Sequence, residues 1–156
     1  MDWASVQSRI GLGEVMVSDT DSRFDQVLLD GRHLLHADEP ASAGGRDVGP
    51  GPYEFLLMAL GACTSITLRM YADRKQWPLE HVIVHLRHQK VHATDCRDCE
   101  SKDALIDRID RRIELIGRLD AERRDRLLKI ANMCPVHRTL SSKVDIRTEL
   151  MGAVGK

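Results

Sequence analysis

The sequence predicts an α+β domain in which antiparallel strands pack around helices. Three observations predict it: short apolar stretches separated by turn residues over 14–38, a long apolar segment after a loop rich in Pro and Gly, and an alternating segment over 81–92. With 156 residues the chain has room for one domain, which we expect to span 1–156.

The first element predicted is a small antiparallel meander. Its apolar stretches are Val15–Val17, Val27–Leu29 and Leu34–Leu35, separated by clusters of Asp, Ser and Gly that suit turns. Asp30-Gly31 is the strongest hairpin signal, because Gly tolerates the positive φ of a tight turn.

A loop and a long helix follow. The stretch over 39–52 holds three prolines and four glycines, too many for a helix or a central strand. Pro52 suits the first turn of a helix, which we expect to end near Gln76. Apolar residues cover most of the circumference of this helix, so we expect it to be buried on nearly all sides, with Cys63 facing the interior.

The second half of the chain alternates strand and helix patterns. His81–His92 predicts a half-buried strand with Val82, Val84 and Leu86 on one face. The period of Ile106–Ile116 is ambiguous and by itself slightly favours a helix.

Two elements complete the prediction. Leu119–Met133 predicts a helix with Asp120 as its N-cap, and Cys134-Pro135 ends it. We expect a final strand over Val144–Leu150 and a frayed tail over Met151–Lys156.

The composition narrows the class of protein. Twenty-three Lys and Arg residues against 24 Asp and Glu residues leave a net charge of -1, which disfavours a dedicated nucleic-acid binder. No window approaches 18 uninterrupted apolar residues, and the first residues lack the pattern of a signal peptide. We therefore expect a soluble, cytoplasmic protein with no membrane partner.

The four cysteines are the candidate chemical groups, because disulfide staples are rare in a reducing cytoplasm. They are Cys63, Cys96, Cys99 and Cys134. Taken by position alone, Cys63 is compatible with a small buried hydrophobe. To act as a nucleophile it needs a nearby Arg or hydrogen-bond donors, since it lies too deep in its helix to benefit from the first-turn dipole.

Two segments resemble the OsmC/Ohr family of osmotically inducible and organic-hydroperoxide-resistance proteins. They are GPGPYEFLLMALGACTSITLRMYA, from Gly49 to Ala72, and CPVHRTL, from Cys134 to Leu140. The resemblance covers roughly residues 14–150 in order. It implies two central helices wrapped by antiparallel sheets in an intertwined homodimer, with active sites at the subunit interface. On this resemblance we assign Ile106–Ile116 as a strand.

The resemblance also implies a thiol-dependent reduction of organic hydroperoxides, part of an oxidative stress response. By motif, Cys63 matches the peroxidatic cysteine and Cys134 the resolving one. The Cys63 thiolate would attack the O–O bond, and Cys134 would condense the resulting sulfenic acid into a disulfide. A dithiol reductant would then reset the pair, with no resident cofactor or metal.

Family members use an Arg to stabilise the thiolate and a Glu to orient that Arg. The simplest members carry this Glu directly after the loop proline, where this chain has Tyr53, so the candidate is the next residue, Glu54. Arg46 and Arg23 are the candidate arginines.

A Cys-x-x-Cys pair departs from the family pattern. Cys96 and Cys99 have the spacing of half a zinc site or of a redox dithiol, and His92 lies four residues upstream. An inert surface pair, an accessory disulfide or reductant relay, and a metal site all remain open for it.

Two rival functions from other classes stay open. One is a non-catalytic protein that binds a lipid or another hydrophobic ligand in an apolar pocket, which we expect to be lined by Phe55, Leu56, Met58 and Leu60. The other is a zinc-stabilised structural or regulatory dimer using Cys96 and Cys99. A separate possibility is that a His137 imidazolium favours a thiolate at Cys134.

Overall fold

The computed structural model describes residues 3–92 and 105–150, and they form an α+β structure with antiparallel sheets. In chain order the elements are α1 (Trp3–Gln7), β1 (Met16–Asp19), β2 (Gln26–Leu29), β3 (Leu34–Ala37), α2 (Pro52–Arg74), β4 (Leu79–His92), β5 (Leu105–Gly117), α3 (Ala121–Ala131) and α4 (Pro135–Leu140).

The chain divides into two compact units, Met1–Met58 and Ala59–Lys156, with α2 running from one into the other. The assignment of the whole chain to a single domain stays a prediction.

The first unit contains the predicted meander. β1, β2 and β3 pair in that order, all antiparallel, and Val27, Leu29 and Ala37 are buried. The Asp30-Gly31 turn joins β2 to β3, with Gly31 at φ 86°. The Asp30 carboxylate accepts hydrogen bonds from the backbone N–H groups of Arg32 and His33 at 2.9 and 2.7 Å, which fixes the turn.

The loop before α2 is anchored by the buried Asp38. Its carboxylate accepts hydrogen bonds from the backbone N–H groups of Glu39, Arg46 and Val48. Burial raises the pKa of Asp38, but these donors outweigh it and hold the pKa below its usual range. The loop is therefore held by hydrogen bonds to one carboxylate rather than by pairing with a strand.

The second unit contains the antiparallel hairpin of β4 and β5, paired from Leu79 with Gly117 to His92 with Leu105. Val82, Val84 and Leu86 are half-buried on one face, as predicted. The strand assignment for Ile106–Ile116 is confirmed.

The helices of the second unit pack on this hairpin. Asp120 is the N-cap of α3, as predicted, and its carboxylate accepts from the Arg123 N–H at 2.8 Å. The buried core consists of residues from α2, β4, α3 and the turn before it: Leu68, Ala72, Leu79, Leu119, Leu127, Ile130 and Ala131.

Three expectations from the sequence are wrong. Val144–Leu150 is not a strand: it is exposed, and no neighbouring strand among the described residues supplies hydrogen bonds to it. Cys134-Pro135 does not end the predicted helix: α3 already ends at Ala131, and Cys134-Pro135 begins α4. Finally, α2 is not buried on nearly all sides: Ile66 and Met70 are 58% and 67% exposed, because one chain covers only one face of the helix.

α2 is also long and apolar enough to meet the length and composition of a membrane span. The core helix of a soluble protein passes the same test, and α2 contributes Leu68 and Ala72 to the buried core.

Replacement of Leu127 by Ala should destabilise the protein by about 2–5 kcal/mol, because the side chain is fully buried and its removal leaves a cavity. The matched control is Leu128→Ala on the next position of α3, where the side chain is 58% exposed. The free energies of unfolding of both variants, measured with denaturant, check this. Equal losses would contradict the assignment of Leu127 to the core.

Candidate active site

The second unit brings Cys63 and Cys134 together. Cys63 lies on α2, and Cys134 is the N-cap residue of α4. Consecutive backbone N–H groups of α4 serve the two sulfurs: the Val136 N–H donates to Cys63 Sγ at 3.5 Å, and the His137 N–H donates to Cys134 Sγ at 3.3 Å. Both thiols are free rather than joined in a disulfide.

The local sequence explains why Cys134 faces this site. An N-cap side chain turns back to accept from the N–H group three residues later, and Pro135 suits the first helical position because it has no N–H to satisfy. The Cys-Pro pair thus aims the sulfur inward, toward α2. Cys134 is fully buried, whereas Cys63 is partly exposed. Of the two cysteine residues, only Cys63 has surface exposed to solvent.

Thr64 contacts both Cys134 and Arg111, so it links the cysteine pair to strand β5. Its side chain is fully buried, and its hydroxyl donates to the Leu60 carbonyl at 2.7 Å. Thr64 Oγ1 also lies 3.7 Å from Cys134 Sγ. A hydroxyl has a single proton, so while Leu60 receives it, the Cys134 thiol is the donor to Thr64.

Arg111 is the cation of the site, and it was not among the arginines expected from the sequence. Its Nη1 donates to Thr64 Oγ1 at 2.8 Å and to the Ala131 carbonyl at 3.2 Å, and its Nη2 donates to Asn132 Oδ1 at 2.8 Å. The ion pairs found between described residues do not include Arg111. Its charged guanidinium therefore donates to neutral groups, those of Thr64, Ala131 and Asn132, which lie beside Cys134.

These contacts shift the pKa values of Cys134 and His137. Burial raises the pKa of Cys134, but the His137 N–H, the neighbouring Thr64 and Cys63 side chains and the Arg111 charge outweigh it and hold the pKa below its usual value. Burial and the Arg111 charge both lower the pKa of His137. The ring of His137 therefore favours its neutral form, and it is the backbone N–H of this residue that serves the thiolate.

A hollow of about 400 Å³ lies next to residues that contact Cys134, although neither cysteine lines it. Apolar and polar side chains line it in equal number. They are Leu60, Ile109, Ile113, Leu128 and Leu140, together with Asp107, Arg111, Asn132, His137 and Ser141. Arg111 and His137 connect the hollow to the surroundings of Cys134.

The remaining predicted site residues lie in the first unit. Glu54 is the third residue of α2, and its Oε2 accepts from the Gly51 N–H at 2.7 Å, as in one half of a capping box. Arg46 Nη1 lies 3.5 Å from Ser22 Oγ, and the Arg23 guanidinium lies 4.8 Å from the Phe24 ring centroid. The ion pairs between described residues join neither Arg to Glu54.

The Cys-x-x-Cys pair, Cys96 and Cys99, lies outside the described residues. Within 3–92 and 105–150, His, Cys, Asp and Glu side chains form no group of three that could hold a metal ion. The role of this pair stays open.

Comparison with solved structures shows what this fold is similar to. An OsmC-like protein from Mycoplasma pneumoniae matches with a TM-score of 0.63 and 18% identity, covering 81% of this chain and 85% of that one. The organic hydroperoxide resistance protein OsmC from Legionella pneumophila matches with a TM-score of 0.59 and 18% identity, covering 86% and 94%. The organic hydroperoxide resistance protein OhrB of Bacillus subtilis gives 0.57 and 18%, covering 88% and 96%.

At these identities the structures show a shared fold. Among the curated proteins, none matches this sequence. The model of the family described as OsmC-like protein matches residues 44–149, a segment that contains both Cys63 and Cys134 and most of the chain. The chain belongs to the OsmC family.

Proposed function

We propose that the protein is a thiol-dependent peroxidase that reduces organic hydroperoxides to alcohols. The observation that carries the proposal is that the N–H groups of two successive α4 residues donate to two different sulfurs, that of the partly exposed Cys63 and that of the fully buried Cys134. Family membership and the resemblance of the fold to organic hydroperoxide resistance proteins support it.

The proposed cycle has three steps. The Cys63 thiolate attacks the O–O bond, which leaves a sulfenic acid on Cys63 and releases an alcohol once the alkoxide takes a proton. The Cys134 thiolate then attacks the oxidised sulfur, so that the S–S bond forms and hydroxide leaves to become water. A dithiol reductant restores both thiols by exchange and is itself oxidised to a disulfide.

The five apolar side chains of the hollow favour an alkyl hydroperoxide over hydrogen peroxide, because only the former gains from burial of its carbon chain. The proposal also includes Glu54, with Arg46 or Arg23, as the charge pair that supports the Cys63 thiolate. It further includes a homodimer, supported by the exposed apolar residues Ile66 and Met70 on α2, and a cytoplasmic location.

The test is the formation of product by the wild-type chain. With a dithiol supplied, the protein should convert cumene hydroperoxide to the corresponding alcohol, with one dithiol oxidised for each alcohol formed. No alcohol above the level made by the dithiol alone would contradict a peroxidase and would favour a non-catalytic binding protein.

A further inference from the structure

A guanidinium is connected to the buried sulfur of Cys134 through one hydroxyl group. Arg111 extends from β5, one of the strands of the second unit, and its Nη1 reaches Thr64 Oγ1 at 2.8 Å. The same hydroxyl lies 3.7 Å from Cys134 Sγ. The three groups form a chain from cation to hydroxyl to sulfur, in which Thr64 is fully buried.

Proton counting shows what this chain does when Cys134 ionises. With a neutral thiol, Thr64 donates to the Leu60 carbonyl and can accept from the sulfur. A thiolate has no proton to give, so the hydroxyl can rotate and donate to the sulfur instead. Arg111 donates to the oxygen of that hydroxyl, which polarises the O–H bond and makes it a stronger donor.

Among the residues around Cys134, Arg111 is the one that supplies a positive charge to stabilise the thiolate. A fully buried thiolate has no water to stabilise it and depends on fixed donors and charges. The residues with titratable side chains that influence Cys134 are Cys63 from α2, Arg111 from β5 and His137 from α4, the last through its backbone N–H. His137 favours its neutral form there, so Arg111 supplies the positive charge.

We propose that Arg111, acting through Thr64, holds Cys134 as a thiolate poised to attack the oxidised Cys63. Arg111 is thus a positioning residue for closure of the disulfide, and its part in turnover rests on the proposed peroxidase. In that step the thiolate forms the S–S bond, the S–O bond of the sulfenic acid breaks, and hydroxide leaves to become water. The sulfenic sulfur is reduced while the thiolate sulfur is oxidised.

A titration without peroxide tests the proposal directly. In a Cys63→Ser background, the ultraviolet absorbance of the Cys134 thiolate is followed against pH, after subtraction of a Cys63→Ser/Cys134→Ser protein to remove the other thiols. Arg111→Met and Thr64→Val should each raise the pKa of Cys134, so that the thiolate forms at higher pH. Arg112→Met, which removes an exposed guanidinium from the next position of β5, should leave it unchanged.

Conservative variants separate this role from simple packing. Arg111 also bonds Ala131 and Asn132 at the end of α3, so Arg111→Met could reduce stability. Arg111→Lys keeps the charge and Thr64→Ser keeps the hydroxyl, and both should titrate close to wild type, unlike Thr64→Val. Titrations of Arg111→Met and Thr64→Val that coincide with that of Arg112→Met would overturn the proposal.

Rapid mixing with one equivalent of cumene hydroperoxide then measures closure of the disulfide. At neutral pH, closure should slow about tenfold in Arg111→Met, the effect of losing a hydrogen bond that serves a charged group, and should recover as the pH rises. Wild-type closure speed in this variant, with an unchanged pH profile, would contradict the proposal. If wild-type Cys63 is not oxidised at all, the peroxidase is wrong, and the titration alone decides the role of Arg111.

Discussion

Replacement of Cys63 by Ser should abolish hydroperoxide consumption, lowering the steady-state rate at least about a hundredfold, to that of the dithiol alone. The hydroxyl of Ser is not ionised near neutral pH and cannot attack the O–O bond as a thiolate does. The measurement is the consumption of cumene hydroperoxide with a dithiol supplied. The fold should be kept, because Cys63 is only partly buried and Ser is close to it in size.

The matched control for this variant is Ala62→Ser, which adds the same hydroxyl at the adjacent exposed position and leaves the sulfur in place. It should retain the wild-type rate. Equal rates for wild type and Cys63→Ser would show that Cys63 is not the nucleophile and would contradict the proposed enzymatic function.

Replacement of Cys134 by Ser should have a different signature. Cys63 would still react with one equivalent of hydroperoxide, but its sulfenic acid would lack the neighbouring thiol and would wait for a dithiol from solution. An intramolecular partner has a large effective concentration, so reduction by millimolar dithiol should be at least about a hundredfold slower.

In this variant, further hydroperoxide should oxidise the Cys63 sulfenic acid again before the dithiol reduces it. Mass spectrometry of Cys134→Ser after repeated additions of hydroperoxide should find Cys63 as the sulfinic acid, which the dithiol does not reduce. Wild type under the same treatment should show little of it. A Cys134→Ser protein that turns over at the wild-type rate without sulfinic acid would show that Cys134 does not resolve the intermediate.

Much of the fold follows from local patterns in the sequence. The Asp30-Gly31 turn, the Asp120 cap and the alternation over His81–His92 each depend on residues close together in the chain. Val144–Leu150 has a strand-like pattern too, but a strand also needs a neighbour with free backbone groups, which a local pattern cannot supply.

β5 shows how a functional residue can obscure a pattern. Arg111 occupies a half-buried position between Ile109 and Ile113, where alternation calls for an apolar side chain. This weakened the strand signal and left a helix period in competition with it. A lone charged residue on the apolar face of a strand was the one signal in the sequence that could have marked Arg111.

The candidate site was predictable only in part, for a related reason. The helix motif around Cys63 and the Cys134-Pro135 pair could be found because each is contiguous. The contact of Arg111 with Thr64 joins residues 47 positions apart and is created by packing of β5 against α2, so spacing along the chain does not reveal it. The same holds for the two N–H groups of α4 that serve the sulfurs, since this helix was not expected.

Peptide mapping of the oxidised protein tests the central claim most directly. Reduced wild-type protein is treated with one equivalent of cumene hydroperoxide, alkylated to block the remaining thiols, digested and analysed by mass spectrometry. We predict a peptide pair joined by a Cys63–Cys134 disulfide. A disulfide between Cys96 and Cys99 instead, or oxidised Cys63 with no link to Cys134, would contradict it.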